Sequence, residues 1–138
     1  MEAKVSSTIR APRAAVWEAL TDPALIKQYM FGTDVLTDWR PGSRIEWTGA
    51  WEGKRYADKG EVVHVVPQER LVYTHFSPLS GLPDAPEHYR TVDVRLQDED
   101  GATRVVLTQD NNADQAAKEH SEKNWTMVLD GLKRTVEG

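Results

Sequence analysis

The chain has 138 residues, within the ~100–150 typical of one domain, so a single domain over 1–138 is expected. Seventeen Lys and Arg against 22 Asp and Glu leave a formal net charge of −5, which argues against a nucleic-acid partner, because phosphate binding needs a basic face. Cysteine is absent, which excludes disulfides, thiolate nucleophiles and cysteine–zinc sites. No apolar run approaches the ~18–20 residues of a membrane span, and residues 1–10 lack the apolar block of a signal peptide, so a cytoplasmic protein is expected.

Residues 2–10 alternate, with Ala3, Val5, Ser7 and Ile9 on one face of a half-buried strand. Pro12 suits the first turn of a helix, where its missing N–H costs nothing, and Val16, Trp17 and Leu20 form an apolar stripe at helical spacing. Asp22 reads as an N-cap and Pro23 as the first position of a second helix. Leu25, Ile26, Tyr29 and Met30 give that helix one apolar side.

After Gly32 the period returns to two. Val35, Thr37 and Trp39 share one face of a strand, and Pro41-Gly42 turns the chain. Ile45, Trp47, Gly49 and Trp51 then share a face, and the next turn falls at Glu52-Gly53-Lys54. The stretch 56–66 is strand-like, but Val62, Val63, Val65 and Val66 fit neither face alone. A bulge at Gly60 would switch the register. Leu71, Tyr73 and His75 share a face of the following strand.

Residues 77–88 hold Pro78, Gly81, Pro83 and Pro86 and read as a loop, of a length at which loops tend to be functional or mobile. Two strands follow, with inner faces Arg90-Val92-Val94-Leu96 and Thr103-Val105-Leu107-Gln109 and a turn at 98–101. The tail is helical. Asn112 and Gln115 are spaced like an N-cap and its N3 partner, and Trp125, Val128, Leu129, Leu132 and Val136 form one stripe. The front half of this helix, with Lys118, His120, Ser121 and Asn124, is far more polar. One strand, two short helices, six strands and a long helix predict an α+β fold, with a curved antiparallel sheet wrapped round the last helix.

That order resembles a known superfamily. It is carried by Val16-Trp17-Glu18-Ala19-Leu20-Thr21-Asp22-Pro23, by Arg40-Pro41-Gly42-Ser43, by Gly60-Glu61-Val62 followed by Pro67-Gln68-Glu69-Arg70-Leu71-Val72-Tyr73-Thr74, and by Trp125 followed by Leu129-Asp130-Gly131-Leu132-Lys133. Together these resemble the START-like, or SRPBCC, superfamily, and within it the group named after the activator of Hsp90 ATPase. The resemblance spans nearly the whole chain. It implies the helix-grip fold, seven antiparallel strands gripping the C-terminal helix, with a deep apolar cavity between them. Members bind lipids, hormones, polyketides and other hydrophobic molecules, and a minority are cyclases, aromatases or other enzymes. The eukaryotic activator carries an additional N-terminal domain that engages the chaperone. No counterpart of it is expected in this single domain, so the domain alone does not imply a chaperone role. Asn124 stands before Trp125 where many relatives have Gly, which puts a polar side chain near the cavity.

Five Trp in so short a chain invite two readings. Trp39, Trp47, Trp51, Tyr56, Tyr73 and Trp125 all fall on inward faces, where aromatics either pack a core or line a cavity for a ring-bearing ligand. His75, near Arg90 and Gln109, either binds a polar group and moves a proton or sits hydrogen-bonded at the sheet's end. Arg90 offers a planar fork for a carboxylate or phenolate, or else a salt bridge at the rim. No helical zinc spacing, nucleophile elbow or phosphate loop occurs, and neither metal nor cofactor is expected.

The expected function is binding of a small hydrophobic or aromatic molecule. The candidate ligand-binding residues are Tyr29, Trp39, Trp47, Trp51, Tyr56, Tyr73, His75, Arg90, Gln109, Asn124 and Trp125. Two alternatives stay open: a cyclase- or hydrolase-type enzyme in the same cavity, and a stress-related interaction module that modulates a chaperone. A homodimer is compatible with either. Segments 23–33 and 77–88 are expected at the cavity rim, the second of them mobile enough to gate it.

Overall fold

The computed structural model describes residues 1–138, with the side chain of Trp51 outside the described residues. Seven strands, β1 (Ala3–Ile9), β2 (Asp34–Leu36), β3 (Arg44–Trp51), β4 (Lys54–Val66), β5 (Arg70–His75), β6 (Arg90–Glu99) and β7 (Ala102–Gln109), form one antiparallel sheet in the order β1-β7-β6-β5-β4-β3-β2. Two short helices, α1 (Arg13–Thr21) and α2 (Pro23–Tyr29), carry the chain from one sheet edge to the other, and α3 (Gln115–Glu137) lies within the sheet's curve. None of these helices is long and apolar enough to cross a membrane.

The alternation read from the sequence sets the inner faces. Ala3 and Ile9 of β1, Val92, Val94 and Leu96 of β6, and Thr103, Val105, Leu107 and Gln109 of β7 are all buried. Tight turns with left-handed backbone at Glu52-Gly53 and Asp100-Gly101 join β3 to β4 and β6 to β7, as the sheet's twist requires. Asp22 caps α2 by accepting from the Ala24 N–H at 2.9 Å. The 40–43 turn is tied to β4, the Gly42 N–H donating to the Val62 carbonyl at 2.7 Å and the Val62 N–H to that of Ser43 at 2.9 Å.

Helix α3 divides into two halves. Leu129, Gly131 and Leu132 are buried in its rear half, and Ser121 is the buried residue of its front half. Gly131 permits close crossing of α2, since a Cβ there would stand 3.0 Å from that of Tyr29.

Four local expectations need correction. The strand expected through Trp39 ends at Leu36, because Trp39 adopts a left-handed backbone (φ 57°) that breaks the extended run. Pro12 sits one residue earlier than expected, at the N-cap of α1. The bulge in β4 lies between Val62 and His64, where the pairing with β5 slips and Val63 turns outward, and not at Gly60. Gly60 instead admits a close approach of backbones, since a Cβ there would meet the Thr74 carbonyl oxygen at 1.7 Å. Finally, α3 is capped by Asp114, which accepts from the Ala117 N–H at 2.8 Å, whereas Asn112 is buried in a network described below.

Candidate functional site

A partly open cavity of about 550 Å³ lies between the polar front half of α3 and the inner face of β3 to β7. Tyr73 and Trp125 border both it and a void of about 40 Å³ in the core, and Trp47 does the same, so these three rings divide packed core from open space. The Trp47 ring lies 5.3 Å from that of Tyr73, and 5.1 Å from that of His75 in an edge-on arrangement.

The polar groups sit at defined places on this wall. His75 Nε2 is 2.8 Å from Asp58 Oδ2. A carboxylate only accepts, so Nε2 carries a proton, and in the neutral imidazole Nδ1 holds the lone pair. Asp58 pairs with Trp47 across β3 and β4, and its Oδ1 is buried without a donor among the described residues. Tyr73 has no hydrogen-bond partner among the described residues. Burial pushes its phenol far above the ordinary value, so it stays a neutral O–H donor.

Tyr56 lies at the mouth side. Its hydroxyl is 2.5 Å from Thr33 Oγ1, which itself donates to the Met30 carbonyl at 2.6 Å. With the Thr33 proton committed, Tyr56 is the donor of the pair. The phenol reaches Thr33 by crossing Gly49, its partner on β3.

The far end is closed by a buried network. Trp125 Nε1 donates to Gln109 Oε1 at 2.6 Å, Gln109 Nε2 donates to Asn112 Oδ1 at 3.2 Å, and Ser121 Oγ donates to the same oxygen at 2.7 Å. Asn112 Nδ2 donates to the Met1 carbonyl at 2.9 Å. This network holds the front of α3 to β7 and to the start of β1, and it sets the angle of the Trp125 ring on the cavity wall.

Of the residues singled out from the sequence, Trp47, Tyr56, Tyr73, His75, Arg90, Gln109, Asn124 and Trp125 line the cavity together. Tyr29 and Trp39 do not and are corrected. Tyr29 is buried in the core with its hydroxyl on the Ala19 carbonyl at 2.8 Å, and Trp39 is turned by its left-handed backbone to border the 40 Å³ void. The Trp51 side chain lies outside the described residues. Sequence reading missed Asp58, which shares parity with Tyr56 on β4, and His120 with Ala117, which share the front face of α3 with Asn124. His120 and Asn124 are 3.2 Å apart between Nε2 and Nδ2.

The rim is narrower than expected. Met30, Phe31 and Thr33 contribute to the lining from one side and Ser77 and Leu79 from the other. Polar contacts tie the middle of the 77–88 segment to its neighbours. Its Asp84 takes hydrogen bonds from Lys59, which hold its carboxyl below the ordinary value, and from Tyr89 at 2.7 Å, while Phe76 and Tyr89 stack at 5.1 Å.

The comparisons with known proteins agree with this fold. The family model described as "Activator of Hsp90 ATPase homolog 1-like protein" matches residues 10–137. None of the curated proteins compared matches the chain. Among solved structures, one from Cytophaga hutchinsonii is 47% identical with a TM-score of 0.87, covering 99% of this chain and 94% of that one. A protein from Nitrosomonas europaea (23% identity, TM-score 0.79, 99% and 94% coverage) shares the fold. So does the Aha1 dimer from Colwellia psychrerythraea (19%, TM-score 0.78, 99% and 96% coverage).

Proposed function

The chain belongs to the activator of Hsp90 ATPase homolog 1-like family, and on that premise we propose that it is one ligand-binding domain taking a small hydrophobic or aromatic molecule into the cavity beneath α3. The observation that carries this reading is the composition of the cavity. A volume of about 550 Å³ lies within the range of small-molecule sites, roughly 300–1,000 Å³, and its wall is aromatic with a few converging polar groups. The exposed apolar side chains Phe31 and Leu79 both stand on its lining, where a ligand would cover them. Native mass spectrometry of the purified protein tests the reading. A noncovalent small-molecule adduct that disappears on denaturation is expected. Protein free of any adduct, whose Trp emission also stays flat against a panel of aromatic ligands, would contradict it.

The His75–Asp58 pair favours a second reading, an enzyme of cyclase or hydrolase type. Asp58 fixes the tautomer that leaves Nδ1 free to take a proton, the arrangement of an oriented general base. If this holds, a bound adduct changes mass on incubation with wild-type protein and is returned unchanged by a His75→Gln variant.

A further inference from the structure

Resting on the binding reading above, we infer that the ligand is an anionic aromatic molecule whose carboxylate or phenolate docks on Arg90. The argument starts from how the arginines are satisfied. Arg10, Arg13, Arg44, Arg70 and Arg95 each pair with a carboxylate at 2.8 to 3.4 Å. Arg40, Arg55, Arg104 and Arg134 have no such partner and are exposed, so water satisfies them. Arg90 alone is half-buried and lines the cavity with a guanidinium that has neither an ion pair nor a hydrogen bond among the described residues. A guanidinium taken partly out of water without a partner is unfavourable, and an anion that reaches it recovers that loss through two parallel N–H···O bonds.

The surroundings select the ligand's sign. Among the described residues Asp58 is the one acidic side chain on the cavity lining, and its Oδ2 is engaged by His75. His75 stands opposite Arg90 in the β5–β6 pairing, so Asp58, His75 and Arg90 occupy three successive strands with the imidazole between the opposite charges. The guanidinium therefore has no direct anionic partner inside the cavity, Asp58 being held on the far side of the imidazole, although the chain as a whole is acidic. The neighbouring acids are used elsewhere: Asp110 accepts from the Thr91 N–H, Asp84 takes Lys59 and Tyr89, and Asp93 takes Arg70 and Arg95. The Trp47, Tyr73 and Trp125 rings supply an apolar wall for the ligand's body, and the protonated Tyr73 hydroxyl is a further donor for an oxygen on it. A neutral apolar ligand would leave Arg90 buried and unpaired. A cationic one would meet it directly.

Isothermal titration calorimetry with 2-naphthoate and its neutral isostere 2-naphthamide tests this. Wild-type protein is expected to bind the carboxylate roughly tenfold or more tightly than the amide. Arg90→Gln, its fold checked by far-UV circular dichroism, is expected to abolish the preference by weakening carboxylate binding most, and Arg90→Lys to restore part of it. Equal affinity of the wild type for the two probes overturns the inference and leaves the binding reading standing. Binding of neither probe overturns both.

Discussion

Tyr56 lies across Gly49, its partner on β3, so closely that a Cβ at position 49 would stand 2.5 Å from the phenol oxygen. The obstructed atom is the end of a side chain, which can swing away. Gly49→Ala should therefore break the Tyr56–Thr33 hydrogen bond at a modest cost of about 1 kcal/mol. Gly60 faces backbone instead, with the Thr74 carbonyl 1.7 Å from its ideal Cβ, and only separation of β4 from β5 relieves the clash. Gly60→Ala should cost about 3 kcal/mol or more. Urea denaturation of both variants checks the order, and equal losses would contradict it.

Leu129 is 2% exposed on the rear half of α3, against the sheet and α2. Leu129→Ala should cost ~2–5 kcal/mol, the range for truncating a buried leucine. A denaturation midpoint unchanged within error would show that the rear half of α3 is not the core's centre.

Asn112 ties three separate parts of the chain through its one side chain: Gln109, Ser121 and the Met1 carbonyl. Asn112→Ala strands a hydroxyl and an amide in a buried site, so a loss of about 1–3 kcal/mol is expected. Faster hydrogen exchange of the first turns of α3 should accompany it. Exchange that accelerates only in the rear half would contradict the network's role.

Glu137 clamps the ends of β1 and α3. It accepts from the Arg10 backbone N–H at 2.9 Å, from Lys133 at 2.6 Å and from the Arg10 guanidinium at 3.2 Å, and these bonds pull its carboxyl from about 4.5 down to about 2. A lowered folded-state value means that the stabilisation is present above the unfolded value and is lost as pH falls from about 4.5 through about 2. The thermal midpoint of Glu137→Gln should therefore lie below that of the wild type at pH 7, with the gap closing across that window. A gap independent of pH would assign the effect to packing.

The architecture was legible where one face is buried and the period is strict. Val92, Val94 and Leu96 alternate without interruption, and Leu129 and Leu132 keep helical spacing, so both elements could be read directly. Failures fall where a single residue changes the period. Trp39 has a positive φ that side-chain parity does not encode, and Val63 is an unpaired bulge residue that shifts the valines after it. Asn112 and Asp114 are equally good caps by type, and only the tertiary partners of Asn112 remove it from that role. The site was half legible for a similar reason. Helical spacing turns Tyr29 inward and strand parity does the same for Tyr73, but whether inward means core or cavity depends for Tyr29 on where α2 crosses Gly131. The pairing of His75 with Asp58 depends on inter-strand register, which no local pattern reveals.

The central claim, that the space beneath α3 holds an aromatic ligand, is tested most directly by the indole N–H resonances of ¹⁵N-labelled protein titrated with 2-naphthoate. Trp47 and Trp125, which line the cavity, should shift and saturate together, while Trp17, on α1 away from the cavity, should stay in place. Saturating probe that leaves Trp47 and Trp125 unmoved, or that shifts Trp17 in their stead, would contradict the account.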